Sequence, residues 1–244
     1  MARRNRAARK FLLCGHVNAR FLNSIKHVIN HHITATSLDI LAITEAALSP
    51  DSPDDGDQVL CTACPIGYSA INFPWPSGRR GGGIAVIFRD SVRVSSIKFS
   101  FSSRAFEHSA GSVTLFSSSF YLITIYRPPS LNTELFLSDF SSLLELLTAT
   151  PSKLLIVGDF NIHIDDPANG TGRKFLSLLH SFDLIQSVAG PTHDGGHGQK
   201  RHTLDLVITR KSDNLLSDCL VCDYLTDHAA IHCQVRLRRP PRPI

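Results

Sequence analysis

The sequence predicts an α/β domain with mixed β-sheets. Short apolar runs of strand length recur from one end of the chain to the other. Few amphipathic helices separate them, so several strands must be joined by hairpins, which argues against an all-parallel sheet. The composition, 43% hydrophobic and 19% charged over 244 residues, is that of a globular chain able to bury a large core. No repeat or linker divides it, so one domain over residues 11–236 is expected, between a basic tail at 1–10 and a basic, Pro-rich tail at 237–244.

The elements follow in order. FLLCGHVNA (11–19) predicts a strand, and residues 20–34 a helix with Phe21, Ile25, Val28 and Ile29 on one face. LDILAIT (38–44) predicts a buried strand that stops at Glu45. The Asp, Ser and Pro cluster at 49–58 predicts a loop, and PSGRRGGG (76–83) a second, flexible and basic one. IAVIF (84–88) and VRVSSIKF (92–99) predict strands, the second with a wet face. SVTLF (112–116) and FYLITIY (120–126) predict a hairpin that ends at Pro128 and Pro129, since proline cannot donate to a ladder. Residues 133–148 predict a helix with Leu135, Phe136, Phe140, Leu143, Leu144 and Leu147 on one face. LLIV (154–157) predicts a strand, Gly158 a turn at its end, and 172–182 a helix. A Gly, His and basic loop (192–202) leads to strands LDLVIT (204–209) and AAIHCQV (229–235).

The net charge of +4 is unevenly placed. Nine of the 25 Lys and Arg lie in the first ten and last nine residues, which hold none of the 21 Asp and Glu. The body is therefore acidic and its ends basic. This excludes a uniformly basic nucleic-acid-binding body, and leaves contact to local patches, a metal or the tails. The tails read either as solvated ends or as a nuclear-localisation or nucleic-acid arm. No apolar run approaches the roughly 20 residues of a membrane-spanning helix. The start of the chain lacks the apolar stretch of a signal peptide, which points to an intracellular protein. Cys61/Cys64 and Cys219/Cys222 form two C-x-x-C pairs. They read as zinc ligands or, at the apolar CLVC, as buried thiols; their wide separation argues against a zinc ribbon.

Polar residues recur at strand ends: Asn18, Glu45, Tyr126, Asp159, Asn161, Asp227 and His228, with Asp205 inside a strand. Strand ends can converge on one edge of a layered domain, where sites gather. Glu45 and Asp159 offer carboxylate oxygens, and Asn18 and Asn161 amides, a set that suits Mg²⁺ or Mn²⁺. His228 reads as a general base or a phosphate binder, with a carboxylate such as Asp205 holding its far ring nitrogen. A metal with a His–Asp pair can activate water against a phosphodiester. Each residue alone has an ordinary reading as a cap, turn or buried polar group; the set carries the chemistry. His163, His193, His197 and His202 read as loop or surface histidines.

The motifs HVNARFLN, LDILAITEAAL, GGGIAVIF, FE, ITIYRPPS, LLIVGDFNIH, HTLDLVIT and TDHAAI stand in an order that resembles the endonuclease/exonuclease/phosphatase superfamily. Within it the chain is most similar to the apurinic/apyrimidinic-endonuclease-like domain of LINE-type (non-LTR) retrotransposons. The resemblance implies a deoxyribonuclease I-like four-layer sandwich: two mixed, mainly antiparallel sheets face to face with helices outside. It implies catalytic roles for Tyr126, Asp159, Asn161, Asp205 and His228, and a metal at Asn18, Glu45 and Asp227. The implied activity is Mg²⁺-dependent nicking of DNA to leave a 3′-hydroxyl for a reverse transcriptase on a longer parent chain; the nucleus is the expected place of action and a monomeric domain the expected form. Arg79, Arg80, Lys200 and Arg201, on Gly-rich loops, are the expected DNA contacts.

Two departures stand out. Thr226 replaces the usual Ser before Asp-His. Ala46 and Ala47 stand where retrotransposon enzymes carry Thr-Trp, so an aromatic expected beneath the site is missing. Two other readings remain open: a silent relic that binds nucleic acid or a partner, and a phosphodiesterase or phosphatase for another substrate.

Overall fold

The computed structural model describes residues 11–48, 53–73, 82–196 and 198–236. Both basic tails, Arg79, Arg80 and His197 lie outside the described residues. The elements run β1 (Phe11–Asn18), α1 (Leu22–Thr36), β2 (Ile40–Thr44), α2 (Pro53–Ala63), β3 (Tyr68–Phe73), β4 (Ile84–Arg89), β5 (Arg93–Ser96), β6 (Glu107–Leu115), β7 (Ser118–Tyr126), α3 (Thr133–Thr148), β8 (Lys153–Asp159), α4 (Gly170–Ser181), β9 (Leu184–Gln186), β10 (Asp205–Arg210), β11 (Leu216–Tyr224) and β12 (Ala229–Arg236).

They form two six-stranded sheets, ordered β11-β12-β1-β2-β4-β3 and β5-β6-β7-β8-β10-β9. Each sheet has one parallel pair, β1 with β2 and β7 with β8; the other pairings are antiparallel. Three apolar clusters glue four layers. Leu12, Ile40, Val86, Leu122, Val157, Val207 and Ile231 join sheet to sheet. Leu22, Ile29, Ile33, Val59, Leu60 and Ala63 seat α1 and α2 on the first sheet. Phe136, Phe140, Leu143, Leu147, Phe175 and Leu179 seat α3 and α4 on the second. The expected sandwich is therefore present.

Local sequence explains most of the elements. Asn132 and Asn169 cap α3 and α4, accepting from the backbone N–H groups of Leu135 and Gly172 at 2.9 and 3.0 Å. Several expectations need correction. The breaker cluster at 49–58 yields to α2. Asp55 lies in its first turn, where an acid meets the helix dipole, and Val59, Leu60 and Ala63 are buried. The strands β3, β9 and β11 were not expected. They are sheet edges with few fully buried positions, so the periodic apolar signal is weak. The α1 face is Leu22, Ile29, His32 and Ile33, while Phe21 and Val28 are exposed. Leu135 is exposed as well, one position off the buried face of α3. No group of three metal-ligating side chains among the described residues includes a cysteine.

Gly158 is not a turn. It pairs with Ile125 and Leu206 inside the sheet, at φ 154°, and a Cβ there would lie 1.9 Å from the Ile125 carbonyl oxygen. Glycine is needed for the close approach of two backbones.

Candidate active site

The two parallel pairs explain why polar residues converge. Strands β1, β2, β7 and β8 end at one edge of the sandwich, delivering Asn18, Glu45, Tyr126 and Asp159. The antiparallel neighbours start there: Glu107 lies opposite Tyr126, Asp205 lies opposite Asp159, and His228 immediately precedes β12. Asp205 is thus the first residue of its strand rather than an interior one.

Asn18 is the hub. Its Nδ2 donates to Glu45 Oε1 and Asp159 Oδ2, both at 2.8 Å, and its Oδ1 accepts from Arg20 N–H at 2.8 Å. Asn161 donates from Nδ2 to the same Asp159 Oδ2 at 3.0 Å and from its backbone N–H to Oδ1 at 3.0 Å. The two side chains converge through a left-handed residue at Asn161 (φ 49°). Phe160 between them is fully buried among Phe136, Phe140 and Phe175, with ring centroids 5.3–6.3 Å away. An aromatic anchor therefore holds Asp159 and Asn161 from the middle.

Opposite Asp159 stands a His–Asp pair. His228 Nδ1 lies 2.8 Å from Asp205 Oδ2. Burial opposes a charge on His228, but Asp205, through its charge and hydrogen bond, and then Asp159 and Asp227 outweigh it, so the pKa rises to about 9. Burial also opposes charge on Asp205, yet His228 holds its pKa below the usual carboxylate range. Asp159 goes the other way: burial, then repulsion from Asp205, raises it well above that range. Tyr126 is raised too, first by burial and then by Glu45 and Asp159, so its hydroxyl remains protonated.

Several participants were not picked out from the sequence. His16, fully buried, places Nδ1 3.7 Å from Asp205 Oδ1 and Nε2 3.3 Å from Thr44 Oγ1. Burial lowers its pKa to about 4 despite Asp205. Arg127, of YRPP, donates to the carbonyls of Asn161 and Leu131 and to Thr133, and its own carbonyl accepts from Asn161. Thr192 Oγ1 accepts from the N–H groups of Leu204 and Asp205. Glu107 accepts from Gly83 N–H at 2.7 Å. Gly82 and Gly83, expected in a flexible loop, are buried and receive the N–H groups of Ala47 and Ala46. That clamp fixes the backbone after Glu45, where Glu45 and Ala47 both have positive φ. Ala46 packs into the α1–α2 core.

Asp227 pairs with Arg20 at 2.7 Å. His193, expected at the surface, stands 3.5 Å from Asp227 and ring to ring with His228 at 4.7 Å. His202 is tied to Asp165 at 3.1 Å. Lys200 and Arg201 are exposed on the loop leading to β10; Arg201 is turned to Asp194 and the Tyr224 ring.

The donor set fits a divalent cation. Two fully buried carboxylates, Asp159 and Asp205, face each other across β8 and β10, and burial and mutual repulsion destabilise charge on Asp159. A cation relieves that repulsion. Among the described residues two groups bring three ligand atoms within 4.8 Å of one another: Asp159, Asp205 and His228, and His193, Asp227 and His228. Glu45, expected at the metal, is in neither and meets the first through Asn18.

A layered sandwich with buried acids, an amide hub and a His–Asp pair at one sheet edge defines a class, the endonuclease/exonuclease/phosphatase fold. Comparisons agree. Residues 120–232 match the family described as "Endonuclease-reverse transcriptase", a segment that carries YRPP, GDFN, LDLV and the final Asp-His. The endonuclease domain of TRAS1, a telomere-specific non-LTR retrotransposon, superposes with TM-score 0.71 at 15% identity, covering 94% of this chain and all of that domain. The AP endonuclease LMAP of Leishmania major gives 0.74 at 13% identity, covering 94% and 89%. The 3′ phosphatase NExo of Neisseria, bound to a product DNA hairpin, gives 0.66 at 17% identity, covering 93% and 100%. A search of curated proteins found no match. The resemblance read from the motifs is borne out: the family match spans the site segments from Tyr126 to His228, and the fold is shared with retrotransposon and AP endonucleases. No helix among the described residues is long and apolar enough to cross a membrane.

Proposed function

We propose that the chain is a divalent-metal-dependent endonuclease that nicks DNA and leaves a 3′-hydroxyl. The observation that carries this reading is the meeting of Asp159, in its amide cradle, with the Asp205–His228 pair at one sheet edge. Asp159, with its raised pKa, suits the acceptance of a proton from the attacking water near neutral pH. His228 is protonated there, which favours the phosphate-binding role over the general-base role. Asp205 keeps the imidazole charged and oriented. Tyr126 donates its hydroxyl proton to a phosphate oxygen, and Asn161, held by Arg127, positions Asp159. Mg²⁺ or Mn²⁺, held by Glu45 beside Asn18 with Asp227 nearby, would supply positive charge to the scissile phosphate.

Lys200 and Arg201, with Arg79 and Arg80 outside the described residues, are the proposed backbone contacts. The match to an endonuclease–reverse transcriptase family supports a reverse transcriptase as the partner that extends the nick, on the same or a longer chain; nuclear DNA is the proposed target. Residues 11–236 are the proposed working domain.

The test is a supercoiled plasmid incubated with the purified chain and Mg²⁺. Nicked circles are expected, abolished by EDTA and by Asp159→Ala or His228→Ala. A native chain that leaves the plasmid supercoiled, or variants that nick equally well, would refute the proposal.

A further inference from the structure

His193, which this mechanism leaves unused, stands beside Asp227. An antiparallel bridge pairs His193 with His228, Asp194 N–H donates to the Asp227 carbonyl at 2.8 Å, and Ala229 N–H donates to the Thr192 carbonyl at 2.7 Å. The backbone thus fixes two imidazoles and one carboxylate in a common space, with a ligand atom from each within 4.8 Å of the others. All three can coordinate. His228 spends Nδ1 on Asp205, which leaves Nε2 and holds the ring in the way metal-binding imidazoles are held by a carboxylate. Asp227 gives Oδ2 to Arg20, while Oδ1 is buried without a partner. The His193 and Asp227 side chains are a quarter exposed, so an ion has a path from solvent. Two imidazoles and a carboxylate suit Zn²⁺ and related borderline ions, unlike the oxygen-rich surroundings of Asn18, Glu45 and Asp159, which suit Mg²⁺.

We propose that His193, Asp227 and His228 bind a borderline transition metal of the Zn²⁺ class, and that its binding switches the nuclease off by engaging His228. The binding half stands on the donor set alone; the switching half rests on the proposed nuclease activity. For the metal to bond Nε2, the imidazolium must release that proton to solvent, and a ring so bonded cannot also donate to a phosphate. Zinc and magnesium would then act at adjoining places with opposite effect.

The test titrates the metal-free chain with Co²⁺, a spectroscopic stand-in for Zn²⁺, in excess Mg²⁺. One equivalent is expected to give visible ligand-field bands without a thiolate charge-transfer band, and Zn²⁺ should bleach them. His193→Ala and His193→Gln, checked for folding by circular dichroism, should weaken binding by roughly tenfold or more. In plasmid nicking, the Zn²⁺ needed to halve each protein's own rate should rise by a similar factor in His193→Gln. Unchanged Co²⁺ affinity in both His193 variants, or a thiolate band showing cysteine ligation, overturns the site. Normal Co²⁺ binding with nicking indifferent to Zn²⁺ overturns the switch. Normal Co²⁺ binding by a chain that never nicks plasmid overturns the nuclease reading and the switch with it, and leaves the metal site standing.

Discussion

The two halves of the sandwich share a plan: six strands, one parallel pair and two outer helices. They treat charge differently. The second sheet brings Asp159 and Asp205 into the site with no solvent exposure, and their pKa values are driven apart, one up and one down. The carboxylates beside the first sheet, Glu45 and Asp227, are only partly buried, and Asp227 is matched by the exposed Arg20. Burial on one side thus sets proton affinities, which is how neighbouring carboxylates come to play different roles. Access on the other side suits the loading of ions. The outer helices follow suit. Behind the second sheet lies a dry cluster of five phenylalanines: Phe106, Phe136, Phe140, Phe160 and Phe175. Behind the first, aliphatic residues share the interface with a pair of histidines, His32 and His232.

The largest expected effect breaks the dry side. Asp159→Asn should lower the single-turnover nicking rate by roughly 10²–10⁴-fold, the usual worth of a positioned acid or base. The same change removes a carboxylate whose charge is disfavoured by burial and by Asp205, so thermal stability at pH 8 should hold or rise. Activity and stability parting in this way would sharpen the contrast; a variant that loses both would mean that Asp159 is chiefly structural. Next comes Phe140→Ala, which hollows the aromatic cluster and should cost about 3–5 kcal/mol in denaturant unfolding. A cost below about 1 kcal/mol would show that the anchor of Phe160 is looser than the ring packing implies. On the open side, Glu45→Gln should raise the Mg²⁺ concentration for half-maximal nicking by roughly 10–100-fold and change the saturated rate less. Should it behave like Asp159→Asn, with a lost rate at any Mg²⁺, the division between ion loading and proton transfer fails.

Much of this was legible in the chain, for stated reasons. Buried strands announce themselves as apolar runs, and a polar residue at the end of such a run stands out, so Glu45, Asp159 and Asn161 could be read directly. Edge strands bury one face at most, and β3 and β11 accordingly left no clean pattern. His16 was hidden because it sits inside a strand, where alternation tells the face but not the neighbour on the other sheet. His193 was hidden because a loop of glycines and histidines has no period at all; only the bridge to His228 gives it a place. Gly158 misled because a glycine after an apolar run signals a turn as readily as a close crossing of backbones.

The smallest expected effect lies behind the first sheet. His32 and His232 bring their Nε2 atoms to 2.9 Å, which requires at least one ring to be neutral. Burial, and then the other ring, lower the pKa of His232 from the ordinary 6.5 to about 4, and burial lowers that of His32 as well. A histidine whose folded pKa lies below its unfolded one binds its proton more readily in the denatured chain. Its stabilising share is present above about pH 6.5 and is lost as pH falls toward about 4. His16 titrates in the same window, so the native melting curve alone does not isolate the pair. His232→Phe does, because it keeps a ring against His32 and leaves His16 in place. Between pH 7.5 and pH 4.5 the native chain should lose a few degrees more of melting temperature than His232→Phe. Parallel losses would mean that protonation of the pair is accommodated by movement of α1, and that the first half of the sandwich is softer around its charges than the second.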